Sequence, residues 1–275
     1  MLAKEEPEGK FAQAGKLKVH YHEFGSGYPL ICVHGAGPGA TGWSNFKGNV
    51  GELSKHFRTL LIDMPQYGKS DKPVIKVSRQ SYLATSIRDF MDSLSIKKAH
   101  IIGNSMGGQA GLKLAIDYPE KVDRLVAIKA GSIFQPMLLE AIRNISNYYK
   151  GEGLTLAKMR EVLESLVYDR SRITDDLVQE RFEASNDPVL VELFGRQPAG
   201  PQGDLYAELP NLKAKTLIVW GQDDRAGALD VGLLMLRRLP DARMHIFSKC
   251  GHWAHVEHRD EFDRLVLQFF MAAGA

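Results

Sequence analysis

An apolar run ending at Ile101-Ile102 stops at Gly103, presents a single serine, Ser105, and restarts beyond Gly107-Gly108 as a helical pattern. The spacing is G-x-S-x-G, which calls for a strand that reverses into a helix within one or two residues. Side chains at the two flanking positions would collide in such a reversal, so glycine is needed there. The turn strains its central residue and pushes the serine hydroxyl out at the sheet edge, beside backbone N–H groups at a helix N-terminus that suit a developing oxyanion. Ser105 is therefore the candidate nucleophile. The competing reading is a capping serine in an ordinary strand-to-helix loop, and the rest of the chain has to decide between them.

The surrounding pattern is α/β. Leu17, Val19 and Tyr21 alternate with Lys18, His20 and His22 and end at Gly25-Ser-Gly27, as in an antiparallel hairpin strand with one wet face. Pro29–Val33 and Arg58–Asp63 read as buried strands, and the run ending at Gly103, Arg124–Lys129, Lys215–Trp220 and Ala242–Phe247 as further strands. Helical patterns separate them: residues 44–57, a stripe of Leu83, Ile87, Phe90, Met91 and Leu94, the segment from Ser105 to about Tyr118, and a closing stripe of Phe262, Leu265, Val266, Phe269 and Phe270. Strand–helix alternation of this kind implies βαβ units and a mostly parallel sheet flanked by helices. Between residues 132 and 207 the alternation gives way to helix-like patterns alone, ending in the breaker-rich Gln197–Gly203. The expected organisation is a core of residues 1–131 and 208–275 with a helical lid, 132–207, inserted over the strand ends.

Composition narrows the function. The 275 residues are 44% hydrophobic and 25% charged with a net charge of +2, and basic residues interleave with acidic ones, so neither nucleic acid nor a membrane is an expected partner. The polar start and the lack of a long apolar stretch make the cytoplasm the expected location. Cys32 and Cys250 are expected to be buried thiols rather than a disulfide. No H-E-x-x-H pair offers a metal site, and no cofactor motif appears: the glycine-rich His34–Gly39 lacks a following Gly-Lys-Ser/Thr and the G-x-G-x-x-G spacing. In a serine hydrolase the same loop supplies an oxyanion-hole N–H.

A serine hydroxyl needs a base and a group to orient that base. Among nine histidines, His252 is the one in a loop following the last strand. The loop after Trp220 offers Asp223 and Asp224, and the spacing from Gly221 favours Asp224, with Asp223 as a turn or capping residue. The chain order Ser105, Asp224, His252 is that of an α/β-hydrolase triad.

Five stretches, His34-Gly-Ala-Gly-Pro-Gly-Ala40, Gly42-Trp-Ser-Asn-Phe46, Gly103-Asn-Ser-Met-Gly-Gly108, Trp220-Gly-Gln-Asp-Asp-Arg225 and Phe247-Ser-Lys-Cys-Gly-His-Trp253, resemble those of the meta-cleavage product hydrolases, carbon–carbon bond hydrolases of the α/β-hydrolase superfamily. The resemblance implies an oxyanion hole from the backbone N–H groups of Ala36 and Met106. It further implies that Asn45, Asn104, Ser171, Arg181 and Trp253 bind the polar end of a 2-hydroxy-6-oxo-6-arylhexa-2,4-dienoate, a small aromatic ring-cleavage product. It also implies a homodimer. On the residues alone Arg181 is a solvated helix charge, and lid residues such as Phe134, Met137 and Phe194 are core contacts as readily as substrate contacts. A carboxylesterase with the same triad is the alternative activity; a ligand-binding receptor on a hydrolase fold is the alternative outside catalysis.

Overall fold

Strand Pro29–Val33 illustrates the sheet: Leu30 and Cys32 enter one apolar cluster, Ile31 and Val33 another, and all four are fully buried. Such a strand must lie in a sheet covered on both faces. The computed structural model, which describes residues 5–131, 139–151, 153–196 and 205–272, has that sheet. Its strands are β1 (Lys10–Ala14), β2 (Leu17–Phe24), β3 (Pro29–Val33), β4 (Arg58–Ile62), β5 (Ala99–Asn104), β6 (Val122–Ile128), β7 (Lys215–Gly221) and β8 (Ala242–Phe247). They lie in the order β1-β2-β4-β3-β5-β6-β7-β8. The β1–β2 and β2–β4 pairs are antiparallel; every pair from β4 to β8 is parallel, so the C-terminal ends of β3 through β8 lie along one edge.

The helices are α1 (Gly42–Phe46), α2 (Val50–Leu53), α3 (Arg79–Ser93), α4 (Met106–Asp117), α5 (Glu140–Tyr148), α6 (Leu156–Ser165), α7 (Asp175–Ser185), α8 (Pro188–Arg196), α9 (Leu229–Arg238), α10 (Ala254–Glu257) and α11 (Arg259–Met271). Leu83, Ile87, Phe90 and Met91 of α3, with Leu112 and Ala115 of α4 and Met235 of α9, fill one face of the sheet. Phe262, Val266, Phe269 and Phe270 of α11 fill the other. Between β6 and β7 lie α5–α8, of which α5, α6 and α7 build a smaller core around Tyr148, Met159, Leu163 and Val178 that reaches down to Ala226 and Trp253 in the loops after β7 and β8. Side-chain oxygens of Thr155 and Thr174 accept N–H groups of Lys158 and Leu177 and start α6 and α7.

Three expectations are corrected. The face of β2 carrying His20 and His22 is not wet: both rings are 1% exposed, because residues 6–14 fold over them. His20 Nδ1 pairs with Asp63 at 2.8 Å, and His22 Nε2 donates to the Pro7 carbonyl at 2.9 Å. The single helix anticipated over 44–57 is two short ones, separated by Lys47, Gly48 and Asn49. A helix not anticipated, α9, bridges β7 and β8, as their parallel pairing requires. Gln197–Gly203, Phe134 and Met137 lie outside the described residues.

Candidate active site

Ser105 sits between β5 and α4 at φ +53° and ψ −112°, a conformation costly for any residue but glycine. Its amide donates to the Ile128 carbonyl at 2.8 Å and its carbonyl accepts from Gln109, so the turn is held on both sides. A Cβ on Gly103 would lie 2.3 Å from the Gly107 carbonyl oxygen, and one on Gly107 would lie 2.2 Å from that of Val33. Both glycines of the motif are therefore required by close backbone approach. Met106 opens α4, where the first N–H groups have no helical acceptor. Loop 34–40 packs against the same turn: a Cβ on Gly35 would lie 2.8 Å from Asn104 Oδ1 and 3.3 Å from Ser105 Cβ.

His252 lies in the loop after β8 and is 5% exposed. Its Nδ1 donates to Asp224 Oδ2 at 2.9 Å, which leaves Nε2 as the free acceptor, and its own amide is anchored on the Leu166 carbonyl of the helical block. Asp224 follows β7 with a fully buried side chain whose Oδ1 accepts the N–H groups of Ala226 and Gly227 at 2.6 and 3.2 Å. Burial opposes ionisation of this carboxyl. The His252 ring, Lys129 and the Ala226 amide outweigh burial and hold it below the usual carboxylate range. Asp223 instead donates its amide to the Cys250 carbonyl and is exposed, as expected of a turn residue. Ser105 and His252 line one cavity of about 410 Å³, although no hydrogen bond joins Oγ to the ring in this conformation.

Ala36, Asn45, Asn104, Arg181 and Trp253 line that cavity with them. Thr41 and Ser44 form a capping box at the start of α1, which turns Asn45 inward. Asn45 and Asn104 each keep a buried side-chain oxygen without a protein partner among the described residues. Arg181, on α7, is 2% exposed: Nε and Nη2 donate to the Pro38 carbonyl, Nη1 donates to Ser44 Oγ, and the guanidinium lies 5.9 Å from the Trp253 ring. Burial lowers its pKa to about 10, so it remains a cation at neutral pH, and it forms no ion pair with a carboxylate among the described residues. Ser171 departs from expectation. It lies in the 3-10 turn Arg170–Arg172, exposed, with Oγ donating to Asp169 at 2.6 Å, and it does not line the cavity.

Arg79 and Tyr67 are among the lining residues that went unread in the sequence. Arg79, 6% exposed, donates through Nη2 to Tyr67 Oη at 3.2 Å and touches Met106 Sδ at 3.6 Å, while Tyr67 Oη donates to the Ala36 carbonyl at 3.2 Å. Arg79 is the first residue of α3, where a cation opposes the helix dipole; that was the one available signal. The opposite wall, with Ile142, Ile145, Leu166, Leu190 and Phe194, is apolar. Among the described residues, the one grouping of potential metal-ligand atoms is Glu6, His20 and His22. It lies apart from the cavity lining, and both rings are already engaged, with Asp63 and with the Pro7 carbonyl.

The chain is similar to known proteins over most of its length. Residues 30–265 match the model of the alpha/beta hydrolase family. The 2-hydroxy-6-oxononadienedioate/2-hydroxy-6-oxononatrienedioate hydrolase of a Pseudomonas species is 40% identical over 260 residues, 91% of each chain. The 2-hydroxy-6-oxo-6-phenylhexa-2,4-dienoate hydrolase of Comamonas testosteroni is 39% identical over 91% of this chain and 90% of its own. Among solved structures, the meta-cleavage product hydrolase from Pseudomonas fluorescens IP01 superposes with a TM-score of 0.89 at 34% identity, covering 97% of this chain and 98% of that one. The chain belongs to the alpha/beta hydrolase family and, within it, to the meta-cleavage product hydrolases.

Proposed function

We propose that the protein hydrolyses a carbon–carbon bond of 2-hydroxy-6-oxo-6-arylhexa-2,4-dienoates, giving an aromatic carboxylate and 2-hydroxypenta-2,4-dienoate. The observation that carries this reading beyond a generic serine hydrolase is Arg181, a buried guanidinium without a carboxylate partner among the described residues, in the same cavity as Ser105 and His252. An ester substrate needs no such cation; the carboxylate of a dienoate does. The unpartnered oxygens of Asn45 and Asn104 suit the 2-hydroxyl, and the apolar wall suits the aryl group.

The reaction runs in two phases. A conjugated dienol cannot leave as a carbanion, so the substrate is first ketonised: His252 moves the 2-hydroxyl proton onto the chain carbon next to the 6-carbonyl, giving a 2-oxo tautomer that acts as electron sink. Ser105 Oγ, deprotonated by His252, then adds to the 6-carbonyl, and its oxyanion is met by the N–H groups of Ala36 and Met106. Collapse breaks the carbon–carbon bond, the dienolate takes up a proton, and water releases the aryl carboxylate from Ser105. Asp224 holds the imidazole tautomer throughout. Helices α5–α8 act as a lid over this site. No described helix is long and apolar enough to cross a membrane, and a cytoplasmic homodimer is the working state we infer.

Rapid mixing with a 6-phenyl substrate tests the reading. Wild-type protein should bleach the dienolate absorbance and release benzoate, and Ser105→Ala should bind and ketonise without releasing benzoate. Persistence of the chromophore with fast cleavage of a simple aryl ester would assign the chain to the carboxylesterases instead.

A further inference from the structure

The loop after β4, residues 63–70, takes no part in that mechanism, yet it is stitched to the oxyanion loop residue by residue. The Met64 amide donates to His34 Nε2 at 2.9 Å, which puts the ring proton on Nδ1, and Nδ1 donates to the Gly35 carbonyl at 2.7 Å. Tyr67 Oη donates to the next carbonyl, that of Ala36, at 3.2 Å. Burial raises the pKa of this phenol, so it keeps the proton it donates. The loop is itself fixed, since Asp63 Oδ1 accepts the Gly42 amide at 2.8 Å and Oδ2 accepts that of Lys69 at 3.1 Å. Behind Tyr67 stands Arg79, whose Nη2 donates both to Tyr67 Oη at 3.2 Å and to Met106 Sδ at 3.6 Å. The guanidinium is 6% exposed, lies 6.0 Å from the Tyr67 and Phe194 rings, and meets no carboxylate among the described residues. One nitrogen therefore reaches both residues expected to supply the oxyanion N–H groups, Met106 directly and Ala36 through a single hydroxyl.

We propose that Arg79 and Tyr67 are positioning residues of the oxyanion hole: the guanidinium, bridging Met106 and, through Tyr67 Oη, the Ala36 carbonyl, sets the spacing of the two N–H groups that receive the Ser105 adduct. The inference rests on the oxyanion role of Ala36 and Met106 proposed above. A donor helps only when it is fixed before charge develops. Helix α4 fixes the Met106 N–H. Ala36 stands between Gly35 and Gly37, so no neighbouring side chain holds its peptide groups, and the Tyr67 hydrogen bond does. The clamp serves the step in which Ser105 adds to the carbonyl. Ketonisation, which runs through His252, does not use it.

Rapid mixing of the intact chain with the 6-phenyl dienoate separates the two steps. Tyr67→Phe, which removes one hydroxyl and keeps the ring, should slow benzoate release about 3- to 10-fold, and Arg79→Met about 10- to 100-fold, while the dienolate absorbance is lost at the wild-type rate and KM is unchanged. An uncharged aryl ester should lose kcat by the same factors, Arg79→Lys should recover part of the loss, and the double variant should lose less than the product of the single losses. Should Arg79→Met fail to fold, Tyr67→Phe decides alone. Wild-type benzoate release by Tyr67→Phe, or losses that multiply in the double variant, would overturn the proposal and leave the triad reading standing. A KM raised for the dienoate alone, with ester turnover untouched, would make Arg79 an anion-binding residue and also overturn it. Full turnover by Ser105→Ala would instead overturn the hydrolase reading, and this inference with it.

Discussion

Arg181 donates through Nε and Nη2 to one acceptor, the Pro38 carbonyl, at 3.1 and 2.8 Å. The residue proposed to hold the substrate carboxylate therefore also clamps α7 onto the glycine-rich loop that contains Ala36. The clamp is close: a Cβ on Gly39 would lie 2.3 Å from the Arg181 carbonyl oxygen. Binding an anion at Arg181 and ordering the oxyanion loop are then coupled events.

This coupling predicts a substrate-dependent loss. Arg181→Lys keeps a charge but loses the planar fork. Its kcat/KM for the dienoate should fall about 10- to 100-fold, the equivalent of roughly 1.5–3 kcal/mol for a hydrogen bond to a charged group. Hydrolysis of an uncharged aryl ester should fall less. Equal losses on the two substrates would show that Arg181 serves the loop and not the carboxylate.

The serine turn predicts a trade between stability and activity. Ser105 pays for φ +53° with backbone strain, which Ser105→Ala retains and Ser105→Gly relieves. Both variants should lack turnover, and urea unfolding should find the glycine variant more stable than the alanine variant by about 1 kcal/mol. An equal or lower midpoint for glycine would mean that the turn stores no strain.

Gly107→Ala should behave oppositely. Its new Cβ would meet the Val33 and His34 carbonyl oxygens at 2.2 and 2.7 Å, and backbone atoms cannot step aside as a flexible side chain can. A loss of about 1–3 kcal/mol is expected from such overpacking. Activity should fall further than stability, because the displaced strand β3 carries the oxyanion loop. A variant with wild-type melting temperature and turnover would contradict the close approach.

What the sequence made legible was periodic or locally punctuated. The α3 stripe, the run Lys215–Trp220 and the G-x-S-x-G turn announce themselves through spacing, and Ser105, Asp224 and His252 come together because strand ends gather at one edge of a parallel sheet. Residues whose burial depends on distant chain were misread or missed. His20 and His22 look solvated beside Lys18 until β1 and Pro7 cover them. Arg79 and Lys129 are ordinary charges in sequence, and only the fold removes their water. Helix α9 went unseen because Gly232 interrupts a pattern otherwise marked by Val231 and Met235, and that glycine is needed: a Cβ there would lie 2.8 Å from the Trp220 ring. Ser171 came from resemblance alone, and at that position resemblance did not carry to the cavity.

Buried histidines also set the pH dependence of folding. Burial drives the pKa of His34 to about 4, that of His100 to about 4 and that of His255 to about 3, against an ordinary value of 6.5. Since each folded-state pKa lies below the unfolded one, the unfolded chain binds one more proton per histidine between those values and 6.5. Stability is therefore complete above pH 6.5 and is lost as pH falls. Asp263 opposes them: burial raises its carboxyl to about 7 from 3.8, so between those values the folded chain holds one extra proton. Burial also lowers His22 and raises Glu257, which oppose each other, so His34, His100 and His255 against Asp263 leave a net uptake of about two protons on unfolding near pH 5, a slope of about 2–3 kcal/mol per pH unit. Urea midpoints measured from pH 7 to pH 4.5 should fall accordingly. His255→Leu, in the apolar shell of Phe46 and Phe262, should flatten the slope by about one proton whatever its effect on stability at pH 7. An unchanged slope in that variant would mean that His255 takes up its proton in the folded protein.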